Sequence, residues 1–210
     1  MNKLRRKRFS RFNLATALQL IGTNQLNEWS LEVPSKPASE LYRQIIARLK
    51  SNFDLSLSEA AKTLLIDAFL AEAIIHFEEL KIWKEAGLQT DTLIGTVDYL
   101  IAPQGIVYQS PLLCVIKAKK DNFEKGLAQC LVEMDACRWY NRSLEVFDIY
   151  GIITNATMWQ FYKLTPQNEI YESIAYSQAQ EEQLLGILHW LFTQCLNHIK
   201  FIINGVVQKY

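Results

Sequence analysis

The sequence has no CxxC pair among its four cysteines, Cys114, Cys130, Cys137 and Cys195, which argues against a zinc knuckle. It has no P-loop, GxGxxG, GxSxG or HExxH motif, so NTPase, dinucleotide-binding, serine-hydrolase and zinc-protease chemistry lack support. No apolar run approaches the ~18 residues of a membrane span. The basic start MNKLRRKRFSRF leads into LATALQLIGTNQLNEW, whose Gln and Asn residues interrupt any signal-peptide core. There is no excess of one charge: 22 Lys plus Arg balance 22 Asp plus Glu. A broad nucleic-acid footprint usually carries a basic excess, although a local basic cleft needs none. Together these absences predict a cytoplasmic protein with reduced, buried cysteines and no membrane partner.

The chain does have half its residues hydrophobic and 21% charged over 210 positions. That composition and length fit one globular domain with a sizeable core. The N-terminal run of Lys3, Arg5, Arg6, Lys7, Arg8 and Arg11 reads either as a solvated terminus or as an arm for phosphate backbone.

Local patterns then set the element order. Pro34 and Pro37 mark a loop, and Ser39–Glu40 open a helix with Leu41, Ile45, Ile46 and Leu49 on one face. Ser58 is an N-cap for a long helix through EAAKTLLIDAFLAEAIIHFEEL, continued by KIWKEA to a C-cap at Gly87. Within it Glu72 shares a stripe with Leu65, Phe69 and His76, as a boundary glutamate or a functional one. TLIGTVDYLIA and PLLCVIKAKK read as strands, the second apolar on both faces until Lys117. FEKGLAQCLVEMDACRWY is a helix, GIITNATMWQFYKL a hairpin turning at Asn155–Ala156, and EEQLLGILHWLFTQCLNHIKFII a closing helix. The order predicts an α/β fold with a central mixed sheet flanked by helices.

Three residues carry the chemistry. Asp98 lies inside an apolar strand, where a carboxylate is costly to bury without a partner. Lys117 and Lys119 lie two apart on the next strand, so they project from one face. Ammonium groups ~6–7 Å apart repel by about 2–3 kcal/mol at an effective dielectric near 20. The face therefore opens on solvent or awaits an anion.

These residues resemble the PD-(D/E)XK, or restriction-endonuclease-like, nuclease superfamily. In that superfamily one strand bears an Asp and the next bears an acid, any residue, then Lys. GTVDYLIAP supplies Asp98, CVIKAKKDNFEKGLAQC supplies the next strand and helix, and YGIITNA extends the likeness. The resemblance implies a restriction-endonuclease-like core at 58–165. Residues 1–57 form an arm and helical extension, and 166–210 a helix packed on the core, all one globular unit. It also implies Asp98 and Glu72 as Mg²⁺ ligands, with the Ala118 carbonyl completing the shell. Lys119 is the water- and phosphate-facing cation, and Gln129 orients it or the substrate. Lys117 occupies the position of the second acid. Glu124 and Glu133 on the following helix are candidates for a displaced carboxylate.

The implied partner is DNA or another nucleic acid, met as a homodimer or as part of a larger restriction or repair complex. Three readings follow. The first is Mg²⁺-dependent phosphodiester hydrolysis, weakened by Lys117. The second is an inactive pseudo-nuclease that binds nucleic acid or protein. The third is a structural domain in which Lys117 pairs directly with Asp98. Trp83, Trp139, Tyr140, Trp159 and Tyr162 are either base-stacking platforms or packing residues.

Overall fold

The computed structural model describes residues 6–55, 58–118, 123–144 and 147–207, leaving aside the side chains of 59 and 204–207. The chain begins with strand β1 (Lys7–Arg8), a 3-10 turn (Phe9–Arg11) and helix α1 (Leu14–Ile21). The basic arm is thus not simply solvated. β1 pairs in parallel with Leu93 and Ile94, and Phe9 and Phe12 are buried. Asn13 and Thr16 cap α1 reciprocally, the Asn13 Oδ1 accepting from the Thr16 N–H at 2.9 Å.

Strand β2 (Asn27–Trp29), which no sequence pattern announced, precedes helices α2 (Glu40–Asn52) and α3 (Glu59–Ile74). Ser39 and Ser58 cap these helices as expected, accepting from the N–H groups of Tyr42 and Ala61. On α2 the buried residues are Tyr42 and Ile46, while Leu41 and Ile45 are exposed. The predicted apolar face is therefore rotated by part of a turn, because Tyr42 packs edge-on against Phe69 of α3.

The larger departure is KIWKEA. α3 ends at Ile74, and β3 (Leu80–Gln89) begins after a turn held by Phe77 N–H to Ile74 C=O and Leu80 N–H to Phe77 C=O. β3 then pairs antiparallel with β4 (Leu93–Pro103) from Leu80↔Pro103 to Gln89↔Ile94. Residues that suit a helix in isolation become a strand because a partner takes up their backbone groups. Gly87 caps no helix, and its carbonyl accepts from the Tyr108 hydroxyl at 2.6 Å.

β5 (Cys114–Ala118), α4 (Phe123–Tyr140) and the hairpin β6 (Ile149–Thr154) with β7 (Met158–Leu164) follow the expected order. The hairpin turns where predicted. Ala156 has a positive φ of 75°, and Asn155 Oδ1 accepts from Thr157 and Met158 N–H. β8 (Ile170–Ser173), β9 (Tyr176–Ser177) and α5 (Glu181–Val207) complete the chain.

The sheet runs β1–β4–β5–β6–β7–β8–β2, with β3 also on β4 and β9 also on β7. Helices cover both faces. α2, α3 and α5 pack over Tyr99, Ile101, Cys114, Ile116 and Ile152, and α1 and α4 over Val97, Leu100, Val115 and Ile153. This is a mixed α/β fold with a central mixed sheet. Strands from residues 7–29 and 170–177 belong to that sheet, so it extends beyond 58–165 at both ends. α4 is buried almost all round between residues 126 and 137, as a helix sandwiched between sheet and α1 requires. It approaches β6 closely: a Cβ on Gly151 would stand 2.6 Å from Met134 Sδ and 2.7 Å from Cys130 Sγ. All four cysteines are buried free thiols. Among the described residues no helix is long and apolar enough to cross a membrane.

Candidate functional site

β4 is forked. One edge pairs with β3 along nearly its whole length, while the other is shared. β1 takes Leu93 and Ile94, and β5 takes Tyr99, Leu100 and Ile101. The β4–β5 ladder ends at Tyr99↔Ile116, so Asp98 and Lys117 are the next residues where the two strands part. On the other edge, the β3 register brings Glu85 opposite Asp98, and the Glu85 backbone is left-handed, φ 52°.

The alternation along β5 settles where Lys117 points. Cys114 and Ile116 face the α3/α5 layer, and Val115 faces α4. Lys117 shares the Val115 side, toward α4. There its Nζ donates to Asp98 Oδ1 at 2.8 Å and lies 3.3 Å from Glu133 Oε1. The other Asp98 oxygen, Oδ2, accepts from the Ala118 backbone N–H at 2.8 Å. Side-chain exposure rises from 1% at Glu133 through 8% at Lys117 to 34% at Asp98. The cluster therefore runs from the buried flank of α4 out to the fork.

Burial opposes the Lys117 charge, but the carboxylates of Glu133 and then Asp98 outweigh it and raise the ammonium pKa above its usual value. Lys117 is a fixed cation at neutral pH.

The other expected residues fall as follows. Gln129 lies one turn before Glu133 on α4, is buried, and its Oε1 has no hydrogen-bond partner among the described residues. Lys119 lies outside the described residues, so its place relative to Asp98 is not part of the geometry. Glu72 does not join the cluster. Its two oxygens accept from the Ser39 N–H at 2.7 Å and Ser39 Oγ at 2.9 Å, tying α3 to the start of α2. The α3 residues that border the fork are Ala60 and Thr63, and nine residues of helix separate Thr63 from Glu72, about 13 Å along the axis. Of the two acids proposed on α4, Glu133 meets Lys117, while Glu124 is exposed beside Phe12 and Asn13.

Of the aromatic candidates, two are packing residues, while Trp83, Trp139 and Tyr140 are partly exposed. Trp159 and Tyr162 are buried, Arg142 covers Trp139 at 3.6 Å, and Lys81 covers Trp83 at 4.5 Å.

Cavities flank the fork on both faces. One of about 310 Å³ is bordered by Thr63, Lys84, Glu85, Asp98 and Ala118. The other, about 390 Å³, lies on the α4 side and includes Arg8, Lys117, Gln129 and Glu133. Arg8 reaches this site because Phe9 packs on Gly95: a Cβ at 95 would stand 2.2 Å from the Phe9 ring. Sequence patterns named Arg8 only as one charge in a run, and its place depends on that long-range contact. Among the described residues no group of three or more His, Cys, Asp or Glu side chains is arranged to hold a metal.

No protein-family profile matches the chain. Among curated proteins it is similar to Crinkler effector protein 1 of Rhizophagus irregularis, 25% identical over 222 residues. The alignment covers 90% of this chain and 46% of that protein, so the chain spans less than half the length of the relative.

Proposed function

We propose that the chain is a nuclease-like module that binds nucleic acid through its phosphate backbone without hydrolysing it. One observation carries the reading: Lys117 Nζ stands between Asp98 and Glu133, at 2.8 and 3.3 Å from their oxygens. In the restriction-endonuclease-like superfamily that the sequence resembles, the space between two carboxylates belongs to Mg²⁺. Here an ammonium group supplies the positive charge.

The donor set is a poor fit for Mg²⁺. The ion requires near-octahedral oxygen ligands at about 2.0–2.1 Å. The site presents two carboxylates already joined by a cation, and Glu72 is held elsewhere by Ser39. A dication about 4 Å from the ammonium would be repelled by several kcal/mol even at an effective dielectric near 20. With Lys117 bound to both carboxylates, contact with phosphates falls to cations around the cluster. Arg8 borders it, is exposed, and forms no ion pair among the described residues. By sequence, Lys119 and Lys120 follow β5 directly.

The test uses the whole chain with fluorescently labelled single-stranded and duplex oligonucleotides, first in chelator and then with Mg²⁺ or Mn²⁺ and plasmid. The reading expects metal-independent binding that weakens steeply with salt, and intact plasmid. Plasmid cutting by the natural chain that Asp98→Ala abolishes would support metal-dependent hydrolysis instead. Neither binding nor cutting would leave the Asp98–Lys117 pair as a structural feature of the sheet.

A further inference from the structure

The cavity on the α4 side of the fork has features that the ion cluster does not explain. Its volume, about 390 Å³, is at the lower end of small-ligand sites. The inner wall sets one unmet acceptor beside an ion pair, for Lys117 also lines it with its ammonium 3.3 Å from Glu133 Oε1. Gln129 is 6% exposed and its Oε1 is buried without a hydrogen-bond partner among the described residues, while the Glu133 carboxylate one turn later on α4 is engaged by Lys117. A buried acceptor left unmet costs stability that a donor from a ligand would restore. The mouth has the opposite chemistry. Arg8 brings a guanidinium with no ion pair among the described residues, and Ser10 and Thr96 bring hydroxyls beside it. A guanidinium with adjacent hydroxyls suits a phosphate group.

We propose that this pocket takes one nucleoside monophosphate unit whose base carries an exocyclic amino group. The phosphate sits at the mouth on Arg8, with Ser10 and Thr96 donating to it. The amino group points inward and donates to Gln129 Oε1. The Gln129 acceptor favours adenine, cytosine or guanine, whose amino groups donate, over uracil, which turns a carbonyl oxygen toward it. The inference rests on the nucleic-acid reading of the fold and adds a base-selective subsite to it. A nucleotide within a strand and a free mononucleotide present the same groups.

The experiment is calorimetric titration of the full chain with AMP, UMP, adenosine and inorganic phosphate. Oligo-dA and oligo-dT then compete against AMP. AMP should bind at least tenfold tighter than UMP or adenosine. Arg8→Ala should remove most of the advantage of AMP over adenosine. Gln129→Leu, which deletes the unmet acceptor and so is expected to fold, should bring AMP and UMP together. Displacement of AMP by oligo-dA would assign the site to a strand, and AMP binding without displacement would assign it to a free nucleotide. Equal affinity for AMP and UMP, or AMP affinity untouched by Arg8→Ala, would overturn the inference. If that happens while labelled oligonucleotides still bind the chain, the nucleic-acid reading survives and only the subsite falls. If AMP binds selectively but no oligonucleotide does, the broader reading falls and the pocket stands.

Discussion

Asp98 meets Ala118 side chain to backbone: past the last paired residues of β4 and β5, the Ala118 N–H donates to Asp98 Oδ2 at 2.8 Å. The carboxylate bridges the point where the strands part, and its other oxygen accepts from Lys117. The fork and the ion cluster are thus one construction. The strand ends where a side chain takes over the backbone bond, and the cation that neutralises that side chain reaches through to α4.

The first prediction concerns Lys117 as the link between two acids. Lys117→Met should destabilise the fold by about 3–5 kcal/mol, since it takes the Lys117 ammonium away from the buried Glu133 carboxylate. Lys117→Met combined with Glu133→Gln should recover a large part of that loss. Urea denaturation of both variants and of Glu133→Gln gives the coupling, and additive losses would mean the two side chains do not interact.

A second prediction follows from Asn141, which is buried at the end of α4. Its Oδ1 accepts from the Leu112 N–H at 2.8 Å, and its Nδ2 donates to the Leu112 carbonyl at 2.7 Å. Asn141→Ala strands both backbone groups at the entrance to β5 and should cost on the order of 2–4 kcal/mol. Asn141→Asp, which keeps the acceptor alone, should lie between. Chemical denaturation checks the order.

The attachment of the basic arm gives the third. Gly95→Ala places a methyl group against the Phe9 ring, and overpacking of this kind typically costs about 1–3 kcal/mol. The variant should become more sensitive to proteolysis within residues 6–12. Phe9→Ala in the same chain should remove the additional penalty. Unchanged cleavage in Gly95→Ala would show that the arm does not depend on this contact.

The fourth is a pH dependence. Burial lowers the pKa of His198, and burial and then the Lys36 charge lower that of His189. Below the ordinary histidine value of 6.5 the unfolded chain binds protons that the folded chain refuses, so stability must fall as pH drops through that value. The raised carboxyls of Asp135 and Asp148 act in the opposite sense, closer to the ordinary carboxylate range. The melting temperature should therefore decrease between pH 7.5 and 5.5, and less so in His198→Phe. A flat profile in the natural chain would contradict this.

The legible parts of the structure were those set by local chemistry. The α4 segment, the Asn155–Ala156 turn and the Ser39 and Ser58 caps all depend on residues within a few positions of one another. β3 was misread as helix because its strand character comes from β4, a partner that local propensity does not contain. The site divided in the same way. Lys117 and Asp98 stood out as charges inside apolar strands, whatever they contact. Choosing Glu133 over Glu124 required knowing which side of α4 faces the sheet, and α4 is apolar nearly all round. Glu72 shows the converse: local spacing left it open as a boundary or a functional glutamate, and its partner in the structure is the Ser39 cap of another helix.

Manganese binding followed by calorimetry, in the natural chain and in Lys117→Glu, asks whether an ammonium group stands in for a divalent ion. The account predicts no Mn²⁺ bound at the fork by the natural chain. Lys117→Glu should gain a site that Asp98→Ala removes. Stoichiometric Mn²⁺ binding by the natural chain, lost in Asp98→Ala, would contradict it.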